Sequence, residues 1–166
     1  MELNNLQIGY CQEQGTQYLS GPLTMTFQPG QLIGIVGVNG VGKSTLLLQA
    51  MASLAARQPA LYISGEESLG QVAGRALRLG LDTEHLLALA ETSVEKILQH
   101  CQQAKPKILV ADSIQTLWSD AHEAGPGSVT QVRACAGEMV RLIEQNDGPY
   151  WARRAEMLLA GYVRMS

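Results

Sequence analysis

Gly37-Val38-Asn39-Gly40-Val41-Gly42-Lys43-Ser44 carries the clearest chemistry in this chain. The spacing is G-x-x-x-x-G-K-[ST], the phosphate-binding P-loop pattern. Glycines at 37, 40 and 42 allow a tight backbone turn, so that successive N–H groups converge on an anion. The expected cradle runs through Gly37, Asn39, Gly40, Val41, Gly42, Lys43, Ser44 and Thr45. Lys43 is expected to reach the terminal phosphates of a nucleotide, and Ser44 to ligate Mg²⁺. A chance glycine-rich turn is the alternative, and the flanking sequence argues against it.

Two carboxylates complete the candidate set. Asp112 ends the apolar run Ile108-Leu109-Val110-Ala111, where a P-loop site usually keeps the acid that holds the Mg²⁺ shell opposite the serine. An ordinary aspartate capping a turn is the competing reading. Glu66 follows the run Ala60–Ile63 within Ser64-Gly65-Glu66-Glu67-Ser68, and is the candidate to orient or deprotonate attacking water. Glu67 with Ser64 fits the S-x-x-E capping box of a helix over 68–79. Tyr10 and Tyr18 are candidates for stacking on an adenine ring, with packing at a strand end as the equal alternative.

These side chains need a scaffold, and the apolar pattern supplies one. Leu32–Val36 reads as a buried strand entering the motif, and Thr45–Ala50 as the helix leaving it, with Leu46, Leu47, Ala50 and Leu54 on one face. Strands are expected at Ala60–Ile63, Leu86–Leu89 and Ile108–Ala111, each an unbroken apolar run suited to a parallel sheet covered on both sides. Helices are expected over Leu69–Leu79, stopped by Gly80; around Val94–Cys101, broken at Lys105-Pro106; and from Ser128 as N-cap to about Gln145, with Val129, Val132, Ala136, Met139, Val140 and Ile143 facing inward. Ahead of this core, Leu3–Tyr10 is one short strand, Cys11–Gly21 a polar loop, and Leu23, Met25 and Phe27 alternate with polar residues as a half-buried strand. The fold class is α/β: a three-layer P-loop NTPase with a mainly parallel sheet and a small N-terminal β unit. A single domain over 1–166 is expected, divided into the β unit 1–30, a β/α core 31–145 and C-terminal strands in 146–166, at about 156–160 and 162–165.

Composition narrows the function classes. The chain has 166 residues, 46% hydrophobic and 16% charged, enough for a globular core. Its formal net charge of −3 gives no bulk support for DNA as a partner, although a local basic patch is left open. Arg133, Arg141, Arg153 and Arg154 are the cations that would form one, and solvated helix faces are the simpler reading. The apolar runs are shorter than the ~20 residues of a membrane helix, and the N-terminus lacks a signal-peptide pattern. A cytoplasmic setting with no membrane partner is therefore expected. Cys11, Cys101 and Cys135 form no C-x-x-C, so thiols are expected rather than a zinc ribbon. His85, His100 and His122 have no ligand spacing and are expected at the surface.

Beyond these readings, parts of the chain resemble known families. Leu61–Ser68, Ala111–Leu117 and Ala124–Arg133 look like the bacterial RadA (Sms) family of RecA-like DNA-repair ATPases, over roughly residues 40 to 145. That resemblance implies Walker A at 37–44, Walker B at Asp112, the catalytic glutamate at Glu66, and a DNA-approaching segment at Ser113–Arg133. Residues 1–45 instead resemble an ABC-transporter nucleotide-binding domain, with Tyr10 at its adenine-stacking position and Phe27–Gly37 as its approach to the P-loop. The tail, Ala152–Val163, loosely resembles the closing strands of such a domain. The ABC signature L-S-G-G-Q is missing, and Asp112 is followed by Ser113 rather than glutamate. Together the resemblances imply a chimera of two P-loop families joined near Walker A and near Gly148, with an engineered recombinant favoured over a truncated natural variant. The expected ligands are ATP and Mg²⁺, with hydrolysis slow or absent. A RadA-like DNA-dependent ATPase is the alternative.

Overall fold

The computed structural model describes residues 2–6, 9–12, 15–18, 22–26, 32–36, 40–145 and 156–161. The N-terminal part consists of two antiparallel pairs. Strand β1 (Glu2–Leu6) pairs with β4 (Leu23–Thr26), and β2 (Gly9–Gln12) pairs with β3 (Gly15–Tyr18). The expected loop over Cys11–Gly21 is thus corrected: Gln12 registers on Gly15 and Gly9 on Tyr18, making a hairpin. Its residues Thr16, Gln17 and Tyr18 are polar but extended-compatible, and a two-stranded hairpin needs no apolar run to be recognisable in the backbone. The single strand expected to reach Tyr10 is likewise two strands.

Five parallel strands form the main sheet. They are β5 (Leu32–Val36), β6 (Ala60–Ser64), β7 (Leu86–Ala90), β8 (Ile108–Asp112) and β9 (Glu156–Gly161), in the order β5-β9-β8-β6-β7. The last strand in sequence is therefore inserted between the P-loop strand and the strand that ends in Asp112. The further strand expected at 162–165 lies outside the described residues.

Strand parity explains the layers. Ala60, Tyr62, Ile108 and Val110 point to one face and pack with Leu47, Leu48, Met51 and Leu54 of helix α1 (Lys43–Ala55) and with Val72 and Ala76 of α2 (Leu69–Arg78). Leu61, Ile63, Leu109 and Ala111 point to the other face. They meet Val94, Ile97 and Cys101 of α3 (Val94–Ala104) and Cys135 and Met139 of α4 (Val129–Gln145). Each fully buried Leu or Ile contributes about 1.5–3 kcal/mol, so the two clusters hold the helices to the sheet. Val132, Ala136 and Met139 of α4 face inward as expected, and the row differs from expectation at its start. Gln131, Cys135 and Met139 are buried, while Val129 is 68% exposed in the first turn. The i, i+4 spacing is retained, but a polar side chain occupies the inner row because it has backbone partners there.

Local signals set the helix ends. Helix α1 is built from Leu, Ala and Met, strong helix formers without a β-branched run. Helix α2 begins in a capping box, but its members are Ser68 and Gln71 rather than Ser64 and Glu67. The Ser64 hydroxyl does accept from the Glu67 amide at 2.9 Å, one turn too early to cap the helix. Glu67 pairs instead with Arg75. Gly80, at φ +63, closes α2 in a Schellman motif: Leu81 N–H donates to Ala76 and Gly80 N–H to Leu77. Helix α3 starts at Ser93, whose hydroxyl accepts from the Lys96 amide at 3.4 Å, and ends where Lys105 turns left-handed before Pro106.

Candidate functional site

Parallel register gathers the candidate residues on one edge. Ile35, Ala160, Asp112, Ser64 and Ala90 stand side by side at the C-terminal ends of their strands. The P-loop leaves β5 on this edge and enters α1. Gly40 and Gly42 both take positive φ, 81° and 87°, the conformation for which glycine is suited. Gly42 is the N-cap of α1, and its carbonyl accepts from Leu46 N–H at 2.9 Å. Lys43, Ser44 and Thr45 form the first helical turn, with Lys43 and Ser44 half-buried, Thr45 buried and Val41 exposed. This turn presents N–H groups and the positive end of the helix dipole. Gly37 and Asn39 lie outside the described residues. Tyr10 lies in β2 opposite Gln17, and Tyr18 in β3 opposite Gly9; their rings lie outside the described atoms.

Across the sheet, Asp112 and Glu66 are tied together by short contacts. The buried Tyr62 hydroxyl donates to Asp112 Oδ2 at 2.5 Å. Burial foremost, then the Asp112 charge and this hydrogen bond, push the Tyr62 phenol well above its ordinary range, so it stays a donor. Ser113 Oγ donates to Glu66 Oε1 at 2.7 Å, and Gly65 N–H donates to the Asp112 carbonyl at 2.9 Å. Thr116, in the 3₁₀ turn Ile114–Thr116, donates from Oγ1 to the Ser113 carbonyl at 2.7 Å. The loop after β6 is therefore fastened to the loop after β8, with Glu66 exposed at its tip. Sequence reasoning did not single out Tyr62, Gly65, Ser113 or Thr116 for these contacts. Only the position of Tyr62, two residues before Ser64 on the same strand face, hinted at its proximity to the edge.

The donor set fits a hard, oxygen-seeking cation. Ser44 and Asp112 would hold Mg²⁺ with water and phosphate oxygens completing the shell, as is usual for this ion. Among the described residues no cluster of three His, Cys, Asp or Glu side chains is placed to hold a metal on its own. The remaining candidates sit elsewhere. His85, His100, His122, Arg133 and Arg141 are exposed, and Arg153 and Arg154 lie outside the described residues. Cys101 and Cys135 are free and buried, and burial pushes their thiols up to about 12 and about 11, so both are neutral core groups.

A parallel α/β sheet with a glycine-rich turn into α1 and an acidic strand end on the same edge defines a P-loop NTPase-type domain. The ABC transporter family model matches residues 21–145, and the chain belongs to that family of P-loop ATPases. It is also related to RadA. Identity to the DNA repair protein RadA of Escherichia coli K12 is 50% over 135 residues, covering 81% of this chain and 28% of that protein. The Haemophilus influenzae RadA is 47% identical over the same shares, and the Aquifex aeolicus RadA is 43% identical over 81% of this chain and 30% of its own length. The chain thus spans less than a third of these relatives. Among solved structures, the KaiC-like protein PH0186 of Pyrococcus horikoshii OT3 superposes with a TM-score of 0.59 at 18% identity, covering 82% of this chain and 63% of that one. At that identity the likeness concerns the fold. No helix among the described residues is long and apolar enough to cross a membrane.

Proposed function

We propose that this chain is a Mg²⁺-ATP-binding module with slow or no turnover. The observation that supports the reading is the shared sheet edge: β5 runs toward α1 there, Asp112 ends β8 there, and Glu66 follows β6 there, held by Ser113. In this reading Gly37, Asn39, Gly40, Val41, Gly42, Lys43, Ser44 and Thr45 hold the phosphates, Ser44 and Asp112 hold Mg²⁺, and Tyr10 stacks on the base. Bound Mg²⁺ would neutralise charge on the phosphates. Glu66 would orient water, with Ser113 holding its carboxylate in place. Rapid hydrolysis in such enzymes draws on a charge supplied from a neighbour, worth about 10³–10⁵ in rate. Acting alone, without such a charge, the chain is expected to turn over slowly. The resemblance of residues 1–45 to an ABC domain and of about 40–145 to RadA supports reading the chain as a chimera, with an engineered recombinant as its origin. A natural reading frame carrying both junctions would overturn that origin.

Calorimetric titration of Mg²⁺-ATP tests the binding. Micromolar affinity is expected for the unaltered chain, with loss of binding in Lys43→Ala. A folded chain that binds no nucleotide would overturn the proposal. The RadA relationship favours a second reading, a DNA-dependent ATPase in a cytoplasmic repair setting. Under that reading, DNA raises the hydrolysis rate and the effect fades with salt. An unchanged rate leaves the binding module as the function.

A further inference from the structure

We propose that Tyr62 is a positioning residue for the Mg²⁺ site, aiming the Asp112 carboxylate by holding its Oδ2 so that the other oxygen faces the P-loop. The inference rests on the metal role given to Asp112 above. Tyr62 is only 1% exposed, in the middle of β6, and its ring is packed among Leu47, Met51, Val72 and Val110 on the α1 face. A ring held this way cannot swing. Its hydroxyl is therefore a fixed point, and the 2.5 Å contact transmits that fixity to a carboxylate on the next strand. The connection crosses strands: Tyr62 registers on Val110, and Asp112 lies two residues further along the same face. Without the phenol, a carboxylate at a strand end has free rotation about its last torsion. The hydroxyl also withdraws charge from Oδ2, so the remaining oxygen is the stronger metal ligand. Hydrogen-bonded partners of metal ligands commonly change metal affinity by about 10–100-fold when removed.

A purely structural tyrosine makes a different prediction. A buried phenol needs an acceptor, and any acceptor would serve. Its loss would then alter stability and leave the metal dependence of nucleotide binding untouched.

The test is ATP affinity measured by calorimetry across a Mg²⁺ series, and in EDTA, for the unaltered chain, Tyr62→Phe and Asp112→Asn. Phenylalanine keeps the ring and removes only the hydroxyl. The expected result is unchanged affinity in EDTA and a Mg²⁺ half-saturation raised about tenfold in Tyr62→Phe. Equal Mg²⁺ requirement in the unaltered chain and Tyr62→Phe overturns the role of Tyr62 alone. An unaltered chain that binds ATP without regard to Mg²⁺, with Asp112→Asn behaving identically, overturns the metal role of Asp112 and this inference with it. A second measurement needs no variant. The ring ¹³Cζ resonance of Tyr62 in the ATP complex is expected to move when Mg²⁺ is added, and a resonance that stays in place overturns the proposal.

Discussion

A methyl group added to Gly65 would sit 1.8 Å from Thr116 Oγ1 and 2.9 Å from Thr116 Cβ. Neither atom can retreat easily, because that hydroxyl is engaged with the Ser113 carbonyl and the segment Ile114–Leu117 is anchored by two buried side chains. Gly65→Ala is therefore expected to separate the loop after β6 from the loop after β8. Overpacking of this kind costs about 1–3 kcal/mol. Urea unfolding would measure that loss. Affinity for Mg²⁺-ATP should survive better than hydrolysis, because the displaced loop carries Glu66 and not the P-loop. At this scale the sequence was only partly readable. Lys43, Ser44, Asp112 and Glu66 stand in recognisable local patterns. The bond partners of the two acids do not: Tyr62 is 50 residues from Asp112, and Ser113 is 47 from Glu66. Such pairs exist only once the strands are in register.

Elements are fixed by local signals first and by buried polar side chains second. The segment between the 3₁₀ turn and α4 has little apolar content, yet it is held by side chains from α3 and α4. Glu95 Oε1 accepts from the Ser119 hydroxyl at 2.7 Å and from the Asp120 amide at 3.0 Å. Burial raises the Glu95 carboxyl, and these bonds, together with one from Ser93, outweigh it and hold the group below its ordinary range. Gln131, 2% exposed, accepts from the Ser119 amide at 3.0 Å and donates to the carbonyls of Ser119 and His122 at 3.1 and 2.8 Å. One amide thus satisfies three backbone groups. Gln131→Leu fits the volume and abandons all three, each orphaned buried group costing about 1–3 kcal/mol. Hydrogen exchange should show faster amide exchange at Ser119 in the variant, with α1 and β6 unaffected. A periodicity argument misplaces this residue on the outside of α4, because the apolar pattern alone gives no reason to bury a glutamine. It also selects Val129, which is exposed. For α1, α2 and α3, by contrast, apolar spacing was sufficient to find each element and the inner rows of α1 and α3, although the cap of α2 lies one turn later than its S-x-x-E pattern suggests.

For the whole molecule, the order of the sheet matters more than the content of any strand. Strand β5 carries the P-loop, and among the described strands its ladder partner is β9, with Leu32–Val36 registered on Met157–Gly161. Strand β9 in turn pairs with β8, from Ile108 on Glu156 to Asp112 on Ala160. Within the sheet, the strand that leads to the glycine-rich turn and Asp112 are therefore linked through a strand some 44 residues further along the chain than Asp112, a separation read from Glu156. Closing so long a segment has an entropic cost that only the completed ladder repays. The core from β6 to α4 keeps its own sheet pairs, β6 with β7 and β6 with β8, without this strand. A chain ending at Gln145 is thus expected to retain the helical circular-dichroism signal of α2, α3 and α4 but to lose the β5 ladder. Mg²⁺-ATP binding should disappear with it, since the strand that leads into the P-loop and the strand that ends in Asp112 no longer share a sheet. Adding a synthetic peptide covering 150–166 in excess should restore part of the binding, because the missing strand is parallel and enters between two existing edges. If the shortened chain bound Mg²⁺-ATP as tightly as the full one, the phosphate site would have to be organised by α1 alone. The inserted strand would then be an addition to the sheet rather than the element that assembles the site.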